Sequence, residues 1–157
     1  MVNVLNTEIG ELLKRTKLLF DAVVWVDSID TNEKKLIIDS IQDQLQDSID
    51  EDGKGLFSRK TQRGYYSEMT EQITKGKKQA GDPYNLKDTG DFYRSMFVDV
   101  ALDSFFIDGD GQKSPKDNLF TDFGEGIVGL TSQNLDKLID RLKIKYIKYV
   151  RKVLQIN

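Results

Sequence analysis

The sequence predicts an α+β fold: a small antiparallel β-sheet packed by N-terminal helices and a long C-terminal helix. Three patterns carry that expectation. Apolar side chains recur at helical spacing over about 33–48 and again over about 132–155. Between them, Met96, Val98, Val100 and Leu102 alternate with Phe97, Asp99 and Ala101, as in a half-buried strand. Asp103-Ser104 turns the chain and Phe105-Phe106-Ile107 offers a partner, so a hairpin is expected near 97–108.

At 157 residues the simplest organisation is one domain spanning 1–157. Its first helix is expected over about 7–25, where Ile9, Leu12, Leu13, Thr16, Leu19, Phe20 and Val23 recur, with Asn6 or Thr7 as cap. Its end, Ala22 to Val26, suits a short strand equally well by composition. The second helix, 33–48, has Asp30 and Glu33 placed as a capping box. Its apolar stripe is Ile37, Ile38, Ile41, Leu45 and Ile49, and Asp39, Asp43, Gln44, Gln46 and Asp47 form the opposite, solvated face.

Residues 53–83 read as a long basic loop. Lys60, Arg63, Lys75, Lys77 and Lys78 outweigh Glu68 and Glu71, and Tyr65 and Tyr66 lie among the cations. Such a loop in a compact domain suits contact with a partner protein or plain mobility, ahead of direct nucleic-acid contact, and removal of 58–80 is expected to leave the fold standing. Next comes Asp88-Thr89-Gly90-Asp91-Phe92-Tyr93-Arg94-Ser95. Asp88 or Thr89 can cap a short helix, Asp91 suits its first turn, and Gly90 allows an unusual dihedral at the corner. Beyond the hairpin, Gly109 to Asn118 reads as a polar loop, and Leu119 to Gly124 as a helical turn closed by glycine. Thr131 or Ser132 then opens the last helix, striped by Leu135, Leu138, Ile139, Leu142, Tyr146, Tyr149, Val150 and Val153.

Composition removes whole classes of chemistry. Without cysteine or histidine there are no disulfides, no Ser-His-Asp or Cys-His triads and no usual zinc set. Two stretches look superficially like calcium loops, but their spacing fails. Counting from Asp50, Lys54 and Thr61 sit where oxygen ligands belong; counting from Asp108, Lys113 takes the required glycine's place. No cofactor and no metal are expected. The carboxylates Asp88, Asp91, Asp99 and Asp103 read as exposed side chains rather than as catalytic groups. No apolar run is long enough to span a bilayer, and Glu8 and Glu11 interrupt any secretory leader, so a cytosolic protein or assembly is expected.

Net charge is −3, but it is segregated: about −7 over 27–52, +5 over 53–81, −6 over 82–135 and +5 over 136–157. Alternating patches of this kind suit a protein that docks against copies of itself.

Several segments in order carry a resemblance. They are the turn Asp50 to Leu56, Tyr66-Ser67 with Thr70, the basic Lys75-Gly76-Lys77, Leu86 to Ser95, the hairpin, Phe123-Gly124, Ile127, Gly129-Leu130 and the C-terminal helix. Over about residues 45–155 the chain resembles the neck proteins of tailed bacteriophages, also called tail-completion, head-tail joining or virion-morphogenesis proteins. The versions in phages and prophages of Bacteroides-type bacteria look most similar. In that family a Thr-Gly pair, then a hydrophobic residue and a serine, opens a short helix leading into the sheet; Thr89, Gly90, Phe92 and Ser95 occupy those places, preceded by Asp88. Where the family often has a proline-bearing basic loop, this chain has Lys77 to Pro83. Residues 1–44 match only in being helical.

The resemblance implies a virion structural protein without catalysis: a homo-oligomeric ring between head connector and tail. DNA passes through such a ring without sequence-specific binding. Neighbouring connector or adaptor and tail proteins are the implied partners, and no membrane is involved. Lys60, Arg63, Tyr65, Tyr66, Lys75, Lys77 and Lys78 are the expected partner-contact residues, and removal of 58–80 is expected to block head-tail joining. A second reading is a small DNA-binding regulator or packaging accessory using that loop and the C-terminal lysines.

Overall fold

In the computed structural model, residues 25–155 are described, and the elements follow from local chemistry. Helix α1, Thr31–Gln46, begins at Asp30, whose carboxylate accepts from the Asn32 N–H at 2.7 Å, with Glu33 completing the capping box. It ends two residues before the expected point. Ser48 adopts φ +64, the Ser48 N–H donates to the Leu45 carbonyl and the Ile49 N–H to that of Gln44. This is a Schellman stop built on serine instead of glycine. Ile49 therefore leaves the helical stripe and pairs with Gly55 in an isolated bridge.

The supposed loop 53–83 holds a short helix, α2, Glu68–Ile73, capped by Ser67 and stopped by Lys75 at φ +54 and Gly76. Helix α3, Asp91–Ser95, follows, then β1, Phe97–Val100, and β2, Phe105–Asp108. These strands form the expected antiparallel hairpin, with Val98 opposite Ile107 and Val100 opposite Phe105. Val98 is buried, whereas Leu102, expected on the inward face, sits at the turn and is 75% exposed. Asp103 likewise belongs to the turn. A second two-stranded sheet, β3, Gln112–Ser114, and β4, Asp117–Asn118, replaces the polar loop expected there. Helix α4, Leu119–Phe123, ends at Gly124 as expected, a 3-10 turn covers Glu125–Val128, and α5 is Ser132–Leu154. The helix expected over 7–25 lies outside the described residues except for Trp25, which stacks on Tyr146 at 4.3 Å.

One core joins these pieces. Ile37, Ile41 and Leu45 of α1 are almost fully buried in it, with Leu138 and Leu142 of α5, Ile127 of the 3-10 turn, and Phe92, Tyr93, Met96 and Val98 from the β1 side. Burial on this scale is the main favourable term, and polar cross-links fix the register. Gln44, expected on the solvated face, is buried. Its amide donates to the Gly129 carbonyl at 3.0 Å and accepts from the Thr131 N–H at 3.0 Å and the Asn134 amide at 2.6 Å. It thus anchors the start of α5. Glu33 is fully buried and receives Arg141 Nε at 2.8 Å as well as the Lys145 ammonium, which also meets Asp30. Two of the C-terminal cations are therefore used to hold α5 against α1.

Candidate partner-binding site

The corner at 88–95 is built from backbone geometry. Gly90 is the residue before α3, at φ +84, and provides no side-chain cap. Capping by Asp88 does not occur; the Thr89 hydroxyl instead accepts weakly from the Asp91 N–H at 3.4 Å. Asp91 sits in the first turn, as expected, and pairs with Arg94. Phe92 and Tyr93 turn inward. Ser95 ties the corner to the far end of the hairpin: its hydroxyl donates to the Phe92 carbonyl at 2.7 Å and accepts from the Asp110 N–H at 2.8 Å. The Tyr93 carbonyl accepts from Gln42 of α1 at 3.0 Å, and its hydroxyl donates to the Asn85 carbonyl at 2.6 Å. Burial pushes the Tyr93 phenol well above its ordinary range.

Asp122 on α4 holds the start of the basic segment. Its carboxylate accepts from the Ser58 hydroxyl at 2.8 Å and the Lys60 N–H at 2.8 Å, and its carbonyl accepts from the Arg59 N–H at 3.0 Å. Ser58 is itself buried. Further along, the Tyr66 N–H donates to the Asp82 carbonyl at 2.9 Å and the Gly81 N–H donates back to that of Tyr66 at 3.0 Å. Residues 67–81 are thus an excursion whose ends meet. Removal of 58–80 would take out the Ser58 and Tyr66 anchors, so the dispensable part shrinks to 67–81.

Between this segment and the β3–β4 hairpin lies an open groove of about 910 Å³. Its floor is aromatic: Tyr66 meets Tyr84 edge-on at 4.8 Å, and Tyr84 meets Phe123 edge-on at 5.4 Å. Ile73 of α2, 74% exposed, stands at one wall. Arg59, Lys60, Lys78, Lys113 and Lys116 supply cations, against the carboxylates of Asp88, Asp117 and Asp122. Lys60 pairs with Asp117, which raises the lysine and lowers the aspartate from their ordinary pKa values. Lys78 lies 5.0 Å from the Tyr66 ring centre and donates to Asn85 Oδ1 at 2.5 Å; burial lowers its pKa. The lining therefore combines aromatic rings with more cations than carboxylates, in a volume within the range of binding clefts.

The expected contact residues divide into two sets. Tyr66, Lys60 and Lys78 take part in internal contacts, whereas Arg63, Tyr65, Lys75 and Lys77 are exposed. Tyr84, Phe123, Lys113 and Lys116 also line the groove and were not among the expected contact residues. The spread of these residues across distant segments gave no local pattern to find. Among the described residues, no group of three or more His, Cys, Asp or Glu side chains could hold a metal ion, and no helix is long and apolar enough to cross a membrane. No family model matches the chain, and no curated protein or solved structure matches it.

Proposed function

We propose that this chain is a virion structural protein of a tailed bacteriophage, forming a ring in the neck or tail-completion region that joins head connector to tail around the DNA channel. The observation that carries the proposal is the ordered motif Leu86 to Ser95, running from a tight Gly90 corner through α3 into the β1–β2 hairpin. That is the path the family resemblance implies for this motif. The α+β architecture, with its small sheet and long C-terminal helix, supports the same reading. In this role the protein acts by docking and performs no catalysis; the aromatic and basic groove is its partner-facing surface.

The DNA-binding alternative loses cations to internal pairs. Lys60, Arg141, Lys143 and Lys145 all meet carboxylates within the chain. The test is to mix purified protein with connector and tail fractions, and separately with duplex DNA over a salt series. Co-sedimentation with connector or tail components and little DNA retention is the expected result. Tight, steeply salt-dependent DNA retention without component binding would favour the regulator reading instead.

A further inference from the structure

We propose that the β1–β2 hairpin of one copy docks into the aromatic and basic groove of the next copy, head to tail. The inference rests on the neck-ring reading and names the contact that would build the ring. A hairpin of two four-residue strands is marginal by itself, and its outer face is uncovered. The inward face carries the buried Val98. On the outward face Phe97 lies opposite Asp108 and Asp99 opposite Phe106, so rings and carboxylates alternate in a small checkerboard. Phe97 and Phe106 are 51% and 60% exposed, and Leu102 projects at the turn.

The charge is equally one-sided. Residues 95–112 contain Asp99, Asp103, Asp108 and Asp110 and no lysine or arginine. None of these four aspartates is in an ion pair among the described residues. The groove offers a partial complement in both respects: Tyr66, Tyr84 and Phe123 for the phenyl rings, and five cations against the three carboxylates Asp88, Asp117 and Asp122, with Lys113 and Lys116 in no ion pair among the described residues. The hairpin's outer face is opposite to the Val98 face that seals its own core, so it is presented to a neighbour. Two different surfaces meeting head to tail generate a closed ring when the rotation closes.

The test uses two variants of the full chain, Phe106→Ser with Asp103→Lys in the hairpin, and Lys113→Glu with Lys116→Glu at the groove. All four positions are exposed, and thermal melting by circular dichroism checks that each variant folds. If the hairpin pair disturbs folding, Leu102→Asp at the turn replaces it. Sedimentation velocity over a concentration series is expected to show wild-type assembly and a rise of at least about tenfold in the midpoint concentration for either variant alone. A one-to-one mixture should give a heterodimer, because one intact hairpin then meets one intact groove and growth stops there. A variant that still assembles like wild type overturns the hairpin–groove contact while leaving the ring reading standing. So does a mixture that stays monomeric while wild type assembles. A groove variant that assembles normally but no longer binds tail protein assigns the groove to that partner and overturns the contact too. A wild-type chain that stays monomeric throughout, even beside connector components, overturns both.

Discussion

At the scale of single residues, polar groups decide the register that apolar burial leaves open. Gln44 satisfies the Gly129 carbonyl and the Thr131 N–H inside the core. Replacing it by alanine strands both groups, and a loss of about 1–3 kcal/mol in denaturant-derived stability is expected. Glu33 presents a second case. Its carboxylate is wholly buried while Arg141 and Lys145 are partly exposed, so removing the cations is worse than removing the acid. Arg141→Met with Lys145→Met is expected to cost about 3 kcal/mol, the lower end for a broken buried pair, because the cations are partly solvated. Glu33→Gln should cost less, and equilibrium unfolding of the two variants checks the order. Asp30 adds a pH dependence. The Lys145 ammonium and the Asn32 N–H hold its carboxyl well below the usual range. A depressed folded-state pKa stabilises the fold above the ordinary carboxylate range near 4, and that contribution fades as pH falls through the folded value. Acid titration of the melting temperature should therefore show a decline below pH about 4 that shrinks in Asp30→Asn.

Elements differ in how far the sequence exposes them. The helices α1 and α5 and the β1–β2 hairpin were legible because their apolar periodicity is strong and their caps, Asp30 and Thr131, are of ordinary type. Helix α2 was not, since none of its residues is buried and no stripe marks it. Strands β3 and β4 escaped because three polar residues pairing with two carry no alternation. The end of α1 was expected within two residues, but the way Ser48 makes it, and the stop at Lys75, were hidden because both adopt positive φ, where sequence reasoning looks for glycine. The candidate site was legible only at its basic segment, because its floor and its Lys113–Lys116 rim come from parts of the chain far apart in sequence. Gly90 was singled out as a corner that allows an unusual dihedral, and it adopts φ +84; Gly90→Ala should cost about 1–2 kcal/mol, read from thermal unfolding. Removing the excursion 67–81 and joining Tyr66 to Asp82 through a short glycine link should preserve the cooperative melt, because those residues already share a hydrogen bond of 2.9 Å. Removing 58–80 should abolish it.

For the whole molecule, the segregated charge acquires a structural meaning. Part of the basic C-terminal patch serves α1–α5 packing, and part of the basic segment serves internal pairing. Among the surfaces left outward-facing are an acidic, phenylalanine-bearing hairpin and an aromatic groove with more cations than carboxylates. If the proposed hairpin–groove contact forms, two unlike surfaces meet head to tail and the chain can repeat around an axis, as the proposed neck ring requires. The most direct measurement of the proposed role is electron microscopy of particles produced when the gene for this chain is disrupted in the phage or prophage that the proposal implies. Filled heads and separate tails that fail to join, with joining restored by wild-type protein, are expected; normally joined, infectious particles in its absence would contradict the neck role outright.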